Sequence, residues 1–354
     1  MYQPHFTITN KILRAIGRIE AAKEVIENAP LVPSWERQFK KEAITRSVHY
    51  STHIEGNALN FSEVKKIVDG REEEVFARER DIQEIINYRK VMEYIDKLAQ
   101  DLVSEEKRFN LTVDIIQHLN QILTTRILPE DRQGSWRRGE ATSRNSKTFE
   151  VSLRYMPPDE ILASVTAFVD WYNSEGAWDL HPVLKAGVTH HESVRIHPFD
   201  EANGRTARVL ATLSLFVDGY KIKNFFSLEE FYDSNAEDYY RALGSIAEQD
   251  PDLTTWLEYF ADGLAIELNR VEQKVLKLSK DAKLKKVIGQ VALTERQEMI
   301  VEYIQDYGQF SNTEFEELFP GVSDDTILRD LKVLLEKGIV RKEGKTKAAR
   351  YILS

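Results

Sequence analysis

Ile196-His197-Pro198-Phe199-Asp200-Glu201-Ala202-Asn203-Gly204-Arg205-Thr206-Ala207-Arg208 decides how this chain reads. An imidazole, two carboxylates, a turn and two arginines fall within thirteen residues. Upstream, residues 183–194 carry His190, His191 and apolar residues at helical spacing. Downstream, Leu210, Leu213 and Phe216 share a helical stripe. The pattern predicts helix, short loop, helix, with Asn203-Gly204 as the turn and Asn203 as the N-cap of the second helix.

A loop feeding a helix N-terminus presents unpaired N–H groups and the positive end of the dipole, so it favours anions. Arg205 and Arg208 are three residues apart and share a face. Guanidinium groups grip phosphate oxygens in pairs. Glu201 is a hard oxygen ligand suited to Mg2+ beside phosphates. His197, at the other lip, exchanges protons near neutral pH. Together these parts predict a phosphoryl or nucleotidyl transfer site.

The stretch closely resembles the signature of the Fic family: His, any residue, Phe, any residue, Asp or Glu, Gly or Ala, Asn, Gly, Arg, and a second Arg three residues on. His197, Phe199, Glu201, Ala202, Asn203, Gly204, Arg205 and Arg208 match it, with Glu and Ala at the two variable positions. The resemblance implies transfer of AMP from ATP-Mg2+ to a Ser, Thr or Tyr hydroxyl of a target protein, this protein itself included. It also implies His197 as general base and Glu201 as metal ligand. The nucleotide would be held by Asp200, Glu201, Ala202, Asn203, Gly204, Arg205, Thr206 and Arg208, with Tyr240 rather than Tyr239 at the adenine end. Phe199 reads as an anchor of the loop in the core. Related proteins transfer phosphate or phosphocholine, or remove AMP, and often form homodimers.

Residues 9–28 read as a helix with the stripe Ile12, Leu13, Ile16, Ile19 and Ile26, ended by Ala29-Pro30. Pro33-Ser34 opens a second helix running to about His53. Gly56 is a natural residue to follow its end, which leaves Glu55 where the dipole disfavours an anion. Ser51 through Gly56 is similar to the inhibitory motif of many Fic proteins, Ser or Thr, three residues, Glu, then Gly or Asn. It implies that Glu55 pairs with Arg208 and opposes the productive pose of ATP.

Residues 62–125 read as further helices. Phe149, Val151, Leu153 and Tyr155 alternate with polar residues, a strand period, after the polar turn Arg144–Lys147. A β-hairpin follows, and the resemblance makes it a flap that holds a target segment as an added strand. Residues 159–175 predict a helix with Ile161, Leu162, Val165, Phe168 and Trp171 inward. Residues 253–283 predict a long helix whose Lys-rich tail, Lys277 to Lys286, is a connector.

About 292–354 forms a separate unit: three helices, the third holding Ile327, Leu328, Leu331, Leu334 and Leu335 inward, then two strands at Val340 and Tyr351-Ile352-Leu353. It resembles a winged helix. Arg341, Lys342, Lys345, Lys347 and Arg350 make a basic wing suited to DNA phosphates, while the first two helices are acidic. DNA binding and a protein contact stand as equal alternatives.

The expected fold is mainly α: a Fic helical core with a β-hairpin flap, plus a small winged-helix-like α+β domain. The expected division is 1–110 with an inhibitory helix at about 41–56, core 111–260, connector 261–291 and terminal domain 292–354. A chain of 354 residues accommodates such a division. Net charge −10 argues against a general nucleic-acid binder. No cysteine means no disulfide framework and no thiolate metal site, which fits a reducing cytoplasm. The start of the chain lacks a signal pattern, and no apolar run reaches spanning length, so no membrane partner is expected.

Overall fold

The computed structural model describes residues 2–29, 31, 33–104, 108–144, 151–244, 252–280, 293–344 and 349–354. The chain divides into two compact units, one of residues 1–27 and 40–271, the other of residues 28–39 and 272–354. The fold is mainly α in both.

The first unit is built on two helices buried along nearly their whole circumference, α8 (Pro182–Ile196) and α9 (Asn203–Val217). A helix buried all round lies at the centre of its fold, and its polar groups must find partners inside. They do. Lys185 Nζ sits 3.2 Å from Asp218 and 3.6 Å over the Trp178 ring. Arg195 grips Glu192 with two hydrogen bonds at 2.7 and 2.8 Å. His190 Nε2 lies 3.1 Å from the Tyr239 hydroxyl. Gly187 permits the close approach of α12 (Thr254–Lys280): Trp256 Nε1 donates to the Gly187 carbonyl at 2.7 Å, and a Cβ at position 187 would stand 2.7 Å from Leu257.

The unit also holds α1 (Asn10–Asn28), α3 (Phe61–Val68), α4 (Glu79–Ser104), α5 (Val113–Thr124), α6 (Ile161–Tyr172), the short α7 (Glu175–Trp178), α10 (Leu228–Ser234) and α11 (Ala236–Ala242); α4 and α5 pack on α9, α6 on α8, and α3 on α4. Helix α2 (Pro33–His53) begins in the other unit and ends here. Each burial stripe is narrower than the sequence implies. Ile12, Ile19 and Ile26 of α1 are buried but Leu13 is exposed; in α6, Ile161, Val165 and Phe168 are buried but Leu162 is exposed. Each of these leucines follows directly on a buried isoleucine, a step of about 100° that carries it off the inner face.

Strands β1 (Thr142–Arg144) and β2 (Val151–Arg154) form an antiparallel pair, Thr142 opposite Arg154. Phe149 and the turn residues Asn145–Lys147 lie outside the described residues.

The second unit has its own core of Ile300, Ile304, Phe310, Phe315, Ile327, Leu331, Leu334 and Tyr351. Helices α13 (Glu295–Tyr307), α14 (Phe315–Leu318) and α15 (Asp324–Glu336) pack on a three-stranded sheet of order β3-β5-β4, where β3 is Phe310–Ser311, β4 Val340–Glu343 and β5 Arg350–Leu353. A capping box between Thr294 and Gln297 starts α13, and Gly308 at φ 80° ends it. Strand β3 is an addition to the two strands the sequence indicates. Leu328 is a correction: it lies 38% exposed on α15, again one step after a buried isoleucine. Residues 281–292 of the connector, and Lys345 and Lys347 of the wing, lie outside the described residues.

Candidate active site

Helix α8 ends in His197, whose own backbone is left-handed at φ 50° and ψ 58°. Its N–H still closes the last helical turn on Ser193. The chain then crosses in five residues to α9. Here the structure corrects the capping expectation. Ala202, at φ 61° and ψ 24°, occupies the N-cap position without a side-chain cap, and Asn203 is the first helical residue. The Asn203 side chain instead braces the loop, accepting from Phe199 N at 2.9 Å and donating to Phe199 O at 2.8 Å. Phe199 is buried and pairs by a backbone bridge with Trp136, their rings 5.1 Å apart.

Two residues outside the loop hold its shape. Asn120 of α5 donates to the Glu201 carbonyl at 2.9 Å and to Thr206 Oγ1 at 3.2 Å, while accepting from Gly134 N. Arg137 donates to the carbonyls of His197 at 2.6 Å and Gly139 at 2.7 Å, and also to that of Met156. Its own N–H reaches Pro198 O. The sequence reading missed both. An asparagine on the apolar face of α5, beside Ile116, Leu119 and Leu123, is the signal that could have found Asn120. Nothing local distinguishes Arg137 from its neighbour Arg138.

The His197 ring stacks on Tyr155 at 3.7 Å with planes 10° apart. Burial, helped by the nearby Arg137 cation, holds its pKa down to about 4, so the imidazole is neutral at pH 7. Arg205 and Arg208 are both buried on the first turns of α9. They converge on one carboxylate: Arg205 Nε donates to Glu55 Oε2, and Arg208 Nη2 to Glu55 Oε1, each at 2.7 Å. Burial alone would raise the Glu55 pKa, but the two guanidinium groups outweigh it and hold it below the usual carboxylate range. Arg208 also donates to Ser51 Oγ and to the Ser51 carbonyl, both at 2.8 Å. Glu55 reaches this position from the turn after α2, which Gly56 closes at φ 91°. Gly204 leaves the room: a Cβ there would stand 2.6 Å from Glu55 Oε1 and 3.2 Å from Arg208.

Asp200 pairs with Arg132 at 2.6 Å, and Glu201 with Arg80 of α4 at 2.5 Å. Tyr240 is half exposed with its ring 5.2 Å from that of Tyr239, which is buried. Among the described residues no cluster of three or more His, Asp or Glu side chains would hold a metal unaided. A single carboxylate such as Glu201 suits Mg2+ in the mode where phosphates and water complete the shell. Among the described residues no helix is long and apolar enough to cross a membrane.

A central helix pair joined by an anion-facing loop, with an imidazole at one lip and paired arginines at the other, is the arrangement of a Fic domain. Residues 110–215 match the Fic/DOC family, and residues 296–344 match the DeoR-like helix-turn-helix domain, so the chain carries a Fic domain followed by a helix-turn-helix unit. Among curated proteins it is similar to "Protein adenylyltransferase Fic" of Drosophila willistoni, 25% identical over 253 residues, covering 69% of this chain and 48% of the relative. The Drosophila melanogaster protein of that name is 26% identical over 230 residues, covering 62% and 44%. The chain thus spans about half the length of these relatives. In fold it is similar to a Fic family protein from Desulfovibrio desulfuricans G20, with TM-score 0.69, 22% identity and coverage of 100% and 98%. A Fic domain containing signaling protein from Bacteroides thetaiotaomicron gives 0.61 and 24%, with coverage of 76% and 97%.

Proposed function

We propose that the protein is an adenylyltransferase that moves AMP from ATP to a hydroxyl of a target protein and is held at rest by Glu55. The observation that carries this reading is the convergence of buried Arg205 and Arg208 on one carboxylate, beside a neutral His197. Buried guanidinium groups need anions. With Glu55 withdrawn, the polyphosphate of ATP is the anion that meets both.

In the reaction, the target oxygen attacks the α-phosphorus and passes its proton to His197, while the bond from that phosphorus to the departing pyrophosphate breaks. Arg205 and Arg208 spread the charge of the phosphates, and the first N–H groups of α9 point at them. Glu201 would hold Mg2+, which supplies further charge neutralisation on the polyphosphate. Asp200, Ala202, Asn203, Gly204 and Thr206 shape the cradle, and Tyr240 faces the nucleoside end. Strand β2 offers its edge to an extended target segment. Glu55 opposes the productive pose by occupying the arginines, with Ser51 fixing Arg208 in place. The absence of cysteine accords with a cytoplasmic setting.

The test uses labelled ATP with the parent protein, Glu55→Gly and His197→Ala. Labelled protein increases with Glu55→Gly and disappears when His197→Ala is added. A Glu55→Gly protein that labels nothing, itself included, counts against the reading. The mass shift of the product separates AMP from phosphate or phosphocholine.

The helix-turn-helix match favours a second role, a DNA-binding regulator whose Fic domain senses nucleotide. Against it, Asp324 and Asp325 stand at the N-terminus of α15, where they repel phosphates. Absence of a mobility shift by the full chain at low salt removes this option.

A further inference from the structure

Three charged groups outside the cradle extend it into a chain of alternating sign. Glu201 Oε2 lies 2.5 Å from Arg80 Nη2. Arg80 Nε reaches Glu84 Oε1 at 3.3 Å, one turn along α4. Glu84 Oε1 lies 3.5 Å from Arg205 Nη2, and Arg205 and Arg208 close on Glu55. The carboxylate expected to meet a metal and the carboxylate that holds the arginines thus end one ladder.

The members differ in freedom. The Glu84 side chain is 10% exposed and is also held by Asn57 Nδ2 at 3.0 Å. Arg80 is 55% exposed and Glu201 32%. Arg80 is therefore a long arm with one fixed, buried carboxylate behind it and one accessible carboxylate in front. While its guanidinium lies on Glu201, it takes up that group's oxygen and sets a positive charge where a divalent cation would arrive. Two cations at one accessible carboxylate repel each other, so one must leave. Glu84 gives Arg80 a place to go without being left unpaired.

We propose that Arg80 is a tethered cation that occupies Glu201 in the resting protein and yields it, swinging back onto Glu84, when a nucleotide-borne divalent cation arrives. Arg80 is a positioning residue that sets how strongly metal assists nucleotide binding. The proposal rests on the reading of the cradle as a nucleotide site.

Its test measures binding rather than turnover. In the full chain carrying Glu55→Gly, the affinity for ADP is measured by calorimetry in EDTA and in Mg2+, with and without Arg80→Ala. The ratio of the two affinities is the readout. Removing Arg80 raises that ratio five-fold or more, because Glu201 is then free. Arg80→Lys keeps a cation and stays close to the parent ratio. Adding Glu201→Gln abolishes the difference between Arg80 and Ala. An unchanged ratio in Arg80→Ala overturns the proposal. So does a large loss of ADP affinity in EDTA, which would make Arg80 a phosphate ligand. If ADP binds no variant in either condition, the nucleotide reading itself fails and this proposal with it.

Discussion

At the residue scale, the decisive property of His197 is that it is neutral. Its pKa of about 4 leaves the ring unprotonated across the physiological range, with a nitrogen able to accept a proton. Transfer by the Glu55→Gly protein is therefore expected to stay flat from pH 8 down to about 5.5. A labelling-rate profile that instead halves near pH 6.5 would mean the imidazole titrates as if in water. That Glu55 answers to a cation was legible from a local clue; Arg208 as that cation was implied only by the likeness of Ser51–Gly56 to the Fic inhibitory motif, and Arg205 was not foreseen. An acidic residue at a helix C-terminus, just before a glycine, answers to a cation elsewhere. Arg80, Glu84, Asn120 and Arg137 were not legible. Each reaches the loop or the first turn of α9 across 60 or more residues of chain, and no periodicity encodes such a partner.

At the element scale, the loop between α8 and α9 is shaped by its neighbours as much as by its own residues. Two left-handed non-glycine residues, His197 and Ala202, flank it. Such backbone persists where surrounding bonds over-determine it. Arg137 supplies several of those bonds, tying His197, Gly139 and Met156 together. Arg137→Ala takes these bonds from the part-buried carbonyls of His197, Gly139 and Met156 and is expected to cost roughly 1–3 kcal/mol in denaturant unfolding. Arg137→Lys recovers little, since an ammonium lacks the planar fork. A loss below 0.5 kcal/mol would show that the loop stands without it. Helix spans were readable from apolar spacing and end signals, as for α2 from Pro33 to His53. Which flank of a stripe faces inward was not, as Leu13, Leu162 and Leu328 show. That depends on which partner helix arrives.

At the scale of the whole molecule, buried histidines set the response to acid. Burial lowers His190 well below 6.5, His191 to about 3 and His197 to about 4, with neighbouring cations adding to each. Between about pH 6.5 and 4 the unfolded chain takes up protons that the folded one refuses. Stability therefore falls as pH falls, by up to about 1.4 kcal/mol per pH unit for each such group. Glu267 works in the opposite sense: burial, against the pull of Arg46, raises it to about 7, so the folded state gains a proton first and offsets one histidine. The Glu55 contribution is present above its unfolded pKa and is lost only as pH falls through its lowered folded value. A net decline is expected from near pH 6.5 in denaturation midpoints taken at pH 7.5, 6 and 5. Equal midpoints at all three would contradict it. The site residues lie between Ser51 and Tyr240, and residues 293–354 carry a core of their own. Deleting that segment should leave ADP affinity within two-fold of the full chain, as measured by calorimetry.

The missing side chain at Gly204 has a consequence for heredity. One added methyl group would stand within 2.6 Å of the Glu55 tip, and the tip, not the helix, is the part free to retreat. Gly204→Ala should then behave as a partial release mutation, raising self-labelling above the parent. If labelling is unchanged, the tip has found a second seat. On the proposed reading, the resting state would thus hang on a single codon in the most recognisable stretch of the chain, as well as on the glutamate 149 positions earlier.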